Sequence, residues 1–174
     1  TLRRQRQMCI RDRLKTKENI SLIGAGLSGP VMATYLSSLG FSTDIYESRS
    51  DMRINSTSAG RSINLALSAR GIKALKDIGV YEKIKPTLIP MSGRMIHDGN
   101  GDVHLQPYGQ KKNEVIYSVP RSNLNKTLMD YAESTNSVNF NFDHELQDID
   151  LKSLKLRFHK RNIPVSYTHL RAHE

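Results

Sequence analysis

ISLIGAGLSGPVMATYLSSLGFSTDIYESR, residues 20–49, is the stretch that decides the fold. Ile20, Leu22 and Ile23 form a short, β-branched-rich run that stops at Gly24, which reads as a buried strand. From Ser28 the apolar residues Val31, Met32, Tyr35, Leu36 and Leu39 fall at helical spacing, with Pro30 tolerable in a first turn and Gly40 as the stop. Residues 43–47 (TDIYE) then read as a second strand. Strand, short helix and strand make a βαβ unit, which requires parallel strands and a right-handed crossover.

The junction inside that unit carries chemistry. Gly24-Ala25-Gly26-Leu27-Ser28-Gly29 matches G-x-G-x-x-G between the first strand and the first helix. The first glycine permits the tight turn, the second a close approach of backbone to a pyrophosphate, and the third close helix–strand packing. The amides of the helix that Ser28 opens then face the phosphates. Glycines alone also make an ordinary βα turn, but Glu47 ends the second strand, 18 residues after Gly29. A carboxylate there accepts hydrogen bonds from a ribose with a free 2′-hydroxyl and repels a 2′-phosphate. The expected ligand is therefore FAD or NAD, held by its adenosine half, and not NADP. Spacing leaves FAD and NAD open. Arg49 either faces a phosphate or adenine edge or stays a solvated loop arginine.

Outward from this unit, residues 48–63 are polar and aperiodic, a surface loop whose length suggests function. Residues 68–78 (SARGIKALKDI) read as a helix with Ile72, Leu75 and Ile78 inward, ended by Gly79, and a short helical turn at 81–84 stops at Pro86. Between 92 and 119 the pattern becomes extended: GRMIHD and VHLQPY flank the turn Gly99-Asn100-Gly101, followed by VIYSV, an antiparallel insert. Residues 121–133 return to helix. Val138, Phe140 and Phe142 alternate as one strand, and Leu154, Leu156 and Phe158 as a last one.

Composition narrows the function classes. The chain has 174 residues, enough for one modest domain, with 37% hydrophobic and 25% charged residues, as in ordinary globular proteins. No apolar run approaches the ~20 residues of a membrane span, and a soluble cytoplasmic protein is the default reading. One cysteine, Cys9, excludes a disulfide scaffold or a cysteine-rich zinc site. The net charge of +9 suggests nucleic acid, but its distribution argues otherwise. Residues 1–13 hold five arginines against Asp12 and show no period. That stretch and VSYTHLRAHE at 165–174 both resemble translated sequencing-adapter read-through, so both ends are read as artefactual tails, against the alternative of a native basic arm. Between them, 14–164 carries 20 basic against 15 acidic residues, or +5, which is mild. His97 and His104 lie on the predicted hairpin without a third ligand, and Ser68 and Ser118 have no paired histidine and acid, so no metal and no protein nucleophile is expected.

Four further stretches carry a resemblance: AGRSINLALSARG at 59–71, PMSGRMIH at 90–97, QPYG at 106–109 and SVPRSNLNKTL at 118–128. Together, and in order, they resemble the kynurenine 3-monooxygenases, flavin-dependent aromatic hydroxylases. The similarity runs from about Ile20 to about Leu146 and covers an amino-terminal third of such an enzyme. It implies an α/β fold, the FAD-binding Rossmann-like βαβ fold of the aromatic hydroxylases, truncated. Residues 14–164 would form a partial FAD-binding domain, with 90–120 contributing to the substrate-binding part. It implies FAD as cofactor and a reaction in which NADPH and O2 serve to hydroxylate L-kynurenine to 3-hydroxykynurenine, with no second Rossmann domain for NADPH. By motif, Arg94 and Tyr108 correspond to the residues that hold the amino-acid carboxylate of kynurenine. Arg121 and Ala66 correspond to flavin contacts, and Leu146 to a backbone contact near adenine. Asn64 either faces the active site or caps a loop.

The family's later Gly-Asp motif over the riboflavin half of FAD, and the membrane-associated helices of some members, have no counterpart here. A further parallel strand normally follows the strand near 154–159. Its absence would leave an open sheet edge and an aggregation-prone, catalytically silent chain. Another FAD-dependent hydroxylase or oxidase, and a basic nucleic-acid protein, are the competing readings.

Overall fold

The computed structural model describes residues 19–54, 63–111, 114–150, 152–153, 155–159, 161–164 and 167–169. They fall into two compact units, one within Thr1–Ser58 and Leu128–Glu174, the other within Ala59–Thr127. The tail at 1–13, the middle of the long predicted loop (55–62) and Leu154 lie outside the described residues.

The first unit is built on the predicted βαβ. β1 (Asn19–Ile23) leads through the glycine turn into α1 (Ser28–Ser38), and β2 (Ser42–Tyr46) returns parallel to β1 with Leu22 beside Ile45. β8 (Val138–Asn141) adds on the other side of β2, also parallel, with Phe140 beside Ile45. The alternation of these strands gives each sheet face its own cover. Leu22, Ile45 and Val138 are buried with Ala33 of α1 and Ala132 of α4 (Arg121–Glu133), and Ile20, Leu36 and Phe140 pack against them. Ile45 is fully buried, a contribution of about 2–3 kcal/mol from that side chain alone. On the opposite face, Ile23 and Tyr46 meet a small antiparallel sheet formed by β9 (Leu146–Asp150), β10 (Lys155–Phe158) and β11 (Arg161–Pro164). Leu156 and Phe158 are buried there and the Phe158 ring lies 4.7 Å from that of Tyr46.

One expectation needs correction. The edge of β1 is not open, because β12 (Tyr167–His169), within the stretch read as a tail, runs parallel to β1 with Tyr167 beside Ile20. The extended segments of 92–119 are antiparallel, as expected, and divide between two sheets. In the second unit β3 (Asn64–Leu67), β7 (Ile116–Pro120) and β4 (Ile89–Met91) make one antiparallel sheet, whereas β5 (Gly93–His97) and β6 (Val103–Pro107) make a separate two-stranded ribbon. α2 (Ala69–Asp77) and α3 (Tyr81–Ile84) follow β3, as their apolar spacing predicts, and bury Leu75 and Ile84.

The segment after β2 is held by a charge cluster. The Arg53 guanidinium, 16% exposed, pairs with Asp51 at 2.8 Å, Asp130 at 3.0 Å and Glu133 at 2.7 Å. It also lies over the rings of Phe140 and Phe142, at 5.5 and 5.8 Å from their centroids. The hydrogen bond to Asp51 and those to Glu133 and Asp130 hold its pKa above the ordinary value despite burial. Asp130 and Glu133 stand in the last turns of α4, where carboxylates oppose the helix dipole, so the one guanidinium offsets both. Arg53→Met keeps the packing stem but strands three carboxylates. The expected loss is about 1–3 kcal/mol, discounted because two of the carboxylates are half exposed. A urea midpoint equal to that of the parent chain would show that the cluster contributes nothing.

Candidate functional site

In the first unit, the site begins where β1 ends. Gly24 adopts φ +99°, a conformation that L side chains avoid, which turns the chain sharply after β1, and its N–H donates to the Tyr46 carbonyl at the end of β2 at 2.7 Å. Gly26 lies in the bend before α1, and Ser28 opens the helix on the surface. At Gly29, an added Cβ would stand 2.2 Å from the Gly24 carbonyl oxygen, so only glycine lets the helix start this close to the turn. Leu27, preceding the helix, makes no side-chain cap and the first turn holds no acidic residue. The helix therefore presents its opening amides uncapped and without a competing carboxylate, an arrangement suited to an anion.

Glu47 stands across from this turn. Its side chain is 7% exposed, and Oε2 accepts from the Ala25 N–H at 2.8 Å, which ties the carboxylate to the middle of the glycine segment. Oε1 accepts from the Arg49 N–H and from Arg49 Nε, both at 2.9 Å, and from Ser48 Oγ at 3.2 Å. Burial raises the carboxyl pKa. The side-chain and backbone hydrogen bonds from Arg49, that from Ala25, and the Arg49 charge outweigh it and bring the pKa down to about 2. Glu47 is thus an anion at neutral pH. It can accept ribose hydroxyls once the exposed Arg49 side chain yields, because the two backbone donors keep the carboxylate aimed meanwhile. Arg49, read from sequence as facing either a ligand or solvent, lies on Glu47.

Leu146 follows a segment that is bonded to Glu47 through the backbone. Glu47 N–H donates to the Asn141 carbonyl at 2.9 Å, and the Glu47 carbonyl accepts from the His144 N–H at 2.8 Å. The chain at 141–144 therefore prolongs the sheet beside Glu47 and delivers Leu146 at the start of β9.

The second unit holds the remaining predicted residues. Ala66 lies in β3 opposite Ser118 of β7, on its exposed face together with Asn64. Arg121, half-buried, opens α4 directly after β7, and its N–H donates to the Ile63 carbonyl at 3.1 Å. Arg94 and Tyr108 belong to the ribbon. Arg94 pairs with Gln106, and the Tyr108 N–H continues the ladder to the Ser92 carbonyl at 3.0 Å. Strand alternation therefore puts Arg94 and Tyr108 on one face, as diagonal neighbours. Both are exposed, Tyr108 by 43%. Gly93 makes the ribbon close here, since its Cβ would stand 2.5 Å from the Gln106 carbonyl. Pro107 opposes Gly93 and, lacking an N–H, sits where the ladder asks for none. His104 faces Asp98 at 3.7 Å across the ribbon end, and no cluster of three or more metal-ligating side chains occurs among the described residues. No helix among them is long and apolar enough to cross a membrane.

The FAD fit thus rests on what the first unit offers: a glycine turn with Gly24 at positive φ and no room for a Cβ at Gly29, an uncapped helix start and an ionised, buried Glu47. Two contacts were missed by sequence reasoning. The Ala25 N–H to Glu47 bond had no side-chain signal. Gln106, by contrast, could have been paired with Arg94 by counting outward from Asn100.

Comparison with known proteins agrees with this geometry. Residues 17–162 match the FAD binding domain family. The chain is 40% identical over 145 residues to a kynurenine 3-monooxygenase of Legionella pneumophila (strain Corby), covering 83% of this chain and 32% of that protein. It is 46% identical over 134 residues to a kynurenine 3-monooxygenase of Cytophaga hutchinsonii, covering 76% and 29%. Among solved structures, the tetrameric form of 2-methyl-3-hydroxypyridine-5-carboxylic acid oxygenase shares the fold, with TM-score 0.72 at 16% identity over 88% of this chain and 38% of that one. The chain spans about a third of the length of the curated relatives it matches. On the extent of the family match and the glycine–Glu47 geometry that accompanies it, the chain belongs to the FAD binding domain family.

Proposed function

We propose that the complete protein carrying this chain is an FAD-dependent monooxygenase that hydroxylates L-kynurenine to 3-hydroxykynurenine, using NADPH and O2. The chain supplies the adenosine side of the FAD site through Gly24, Gly26, Ser28, Gly29, Glu47, Arg49 and Leu146. Ala66 and Arg121 serve the flavin side, and Arg94 and Tyr108 receive the substrate carboxylate. A cytoplasmic location belongs to the same proposal.

The observation that carries the reading is the shared face of Arg94 and Tyr108. A guanidinium can take a carboxylate through two parallel N–H donors, and a phenol hydroxyl one strand over adds a third. The relatives named kynurenine 3-monooxygenase at 40–46% identity supply the substrate class. Bound FAD, reduced by NADPH, supplies the oxygen activation. The task of these side chains is to hold the amino-acid end of the substrate, so that the ring alone is left to react. No side chain here is assigned a proton-transfer step.

The test is Arg94→Ala in the complete protein. Loss of a bidentate, charge-assisted contact should raise KM for L-kynurenine about hundredfold, with a much smaller change in kcat. An unchanged KM would direct attention to another FAD-dependent hydroxylase or oxidase activity.

A further inference from the structure

We propose that Gln106 is a positioning residue for Arg94, fixing which edge of the guanidinium is offered to a substrate carboxylate. The proposal rests on the reading of Arg94 as the carboxylate-binding residue.

Arg94 and Gln106 are directly opposed in the β5–β6 ribbon, on the face that also carries Tyr108. Arg94 Nε donates to Gln106 Oε1 at 2.7 Å. Arginine has no acceptor, so the amide must turn its oxygen to the guanidinium and the assignment is unambiguous. A guanidinium can meet a carboxylate side-on, through Nε and one Nη, or end-on, through both Nη groups. With Nε engaged, the side-on mode is closed and the end-on pair is left, carrying no hydrogen bond to any of the described residues. The backbone beneath is tightly placed as well: the Gly93 Cβ position is filled by the Gln106 carbonyl and the Pro107 Cα, at 2.5 and 3.0 Å. A long, exposed side chain that would otherwise sample many rotamers is thus held in one orientation before the ligand arrives, which lowers the ordering cost of binding.

Gln106 therefore acts on affinity for the carboxylate, through Arg94, and not on the reacting ring. The experiment compares Gln106→Met, which keeps length but removes the acceptor, with Gln106→Asn, which keeps the acceptor one methylene short. Arg94→Ala and the Arg94→Ala, Gln106→Met double variant complete the cycle, all in the complete, FAD-loaded protein. Each is assayed with L-kynurenine and with its decarboxylated analogue, an amine bearing the same ring. Gln106→Met should raise KM for L-kynurenine about tenfold with kcat changed less than twofold, and leave both constants for the decarboxylated analogue unaltered. Gln106→Asn should fall between it and the parent, and Gln106→Met should add nothing once Arg94 is alanine. An unchanged KM in Gln106→Met, an equal loss with both substrates, or effects that simply add in the double variant would overturn the proposal. If Arg94→Ala itself leaves KM unchanged, the carboxylate reading of Arg94 has failed, and the proposal fails with it for that distinct reason.

Discussion

Gly29→Ala is expected to lower FAD affinity by roughly two orders of magnitude, about 3 kcal/mol. The added Cβ would stand 2.2 Å from the carbonyl oxygen and 3.3 Å from the carbonyl carbon of Gly24. Both are main-chain atoms, so no rotamer change relieves the clash. The turn has to open, and what opens with it is the array of helix-start amides and the Ala25 N–H that Glu47 accepts at 2.8 Å. Gly40 supplies the control. Its φ is +92°, so alanine there is strained too, but no heavy atom lies within 4 Å of its Cβ position. Gly40→Ala should cost about 1 kcal/mol of stability and leave FAD affinity intact. Flavin fluorescence titrations of the three chains decide the matter, and binding by Gly29→Ala within threefold of the parent would remove the cradle argument.

The contrast between these glycines also shows what could be read without coordinates. The βαβ unit was legible because three independent signals coincide within 30 residues: a short β-branched-rich run at the first strand, helical spacing after it, and the glycine pattern at their junction. The helices at 69–77 and 121–133 and the alternation of Leu156 and Phe158 were legible for the same reason. β9 was not. Its apolar residues Leu146 and Ile149 are three apart, a spacing that suits a helix face and breaks the alternation of a strand. The structure supplies the reason: Leu156 pairs with Ile149 and Phe158 with Leu146, so a bulge gives β9 one residue more than β10 and restores the alternation in space. β3 and β4 are four and three residues long, too short for any period to emerge, and they exist because β7 lies between them. At the site, Glu47 was legible by its spacing. The donors that make it an anion were not, because two of them are backbone N–H groups whose direction only the fold sets.

Those donors make Glu47 the second large effect. The carboxyl is lowered from 4.5 to about 2, a shift of roughly 3 kcal/mol at ~1.4 kcal/mol per unit, trimmed toward about 2 because the Arg49 guanidinium is itself two-thirds exposed. A lowered carboxyl stabilises the fold fully above its unfolded value. That stability is lost as pH falls from about 4.5 through about 2, where the folded group also takes up a proton. Glu47→Gln is not a conservative change here. An amide can turn only one oxygen to donors that approach both sides of the carboxylate, from Ala25 on Oε2 and Arg49 on Oε1, so its NH2 must face an N–H. At pH 7 the variant should therefore be less stable than the parent by about 2 kcal/mol and should bind FAD at least tenfold more weakly, since ribose hydroxyls lose a charged acceptor. Near pH 2 the stability difference should shrink to roughly a few tenths of a kcal/mol, because the parent's carboxyl is by then about half protonated and little of the linked stability is left. Urea unfolding of both chains across this range provides the measurement. A difference that persists undiminished at pH 2 would mean that Glu47 acts by shape and packing alone, and that the charge which turns away a 2′-phosphate has to come from elsewhere.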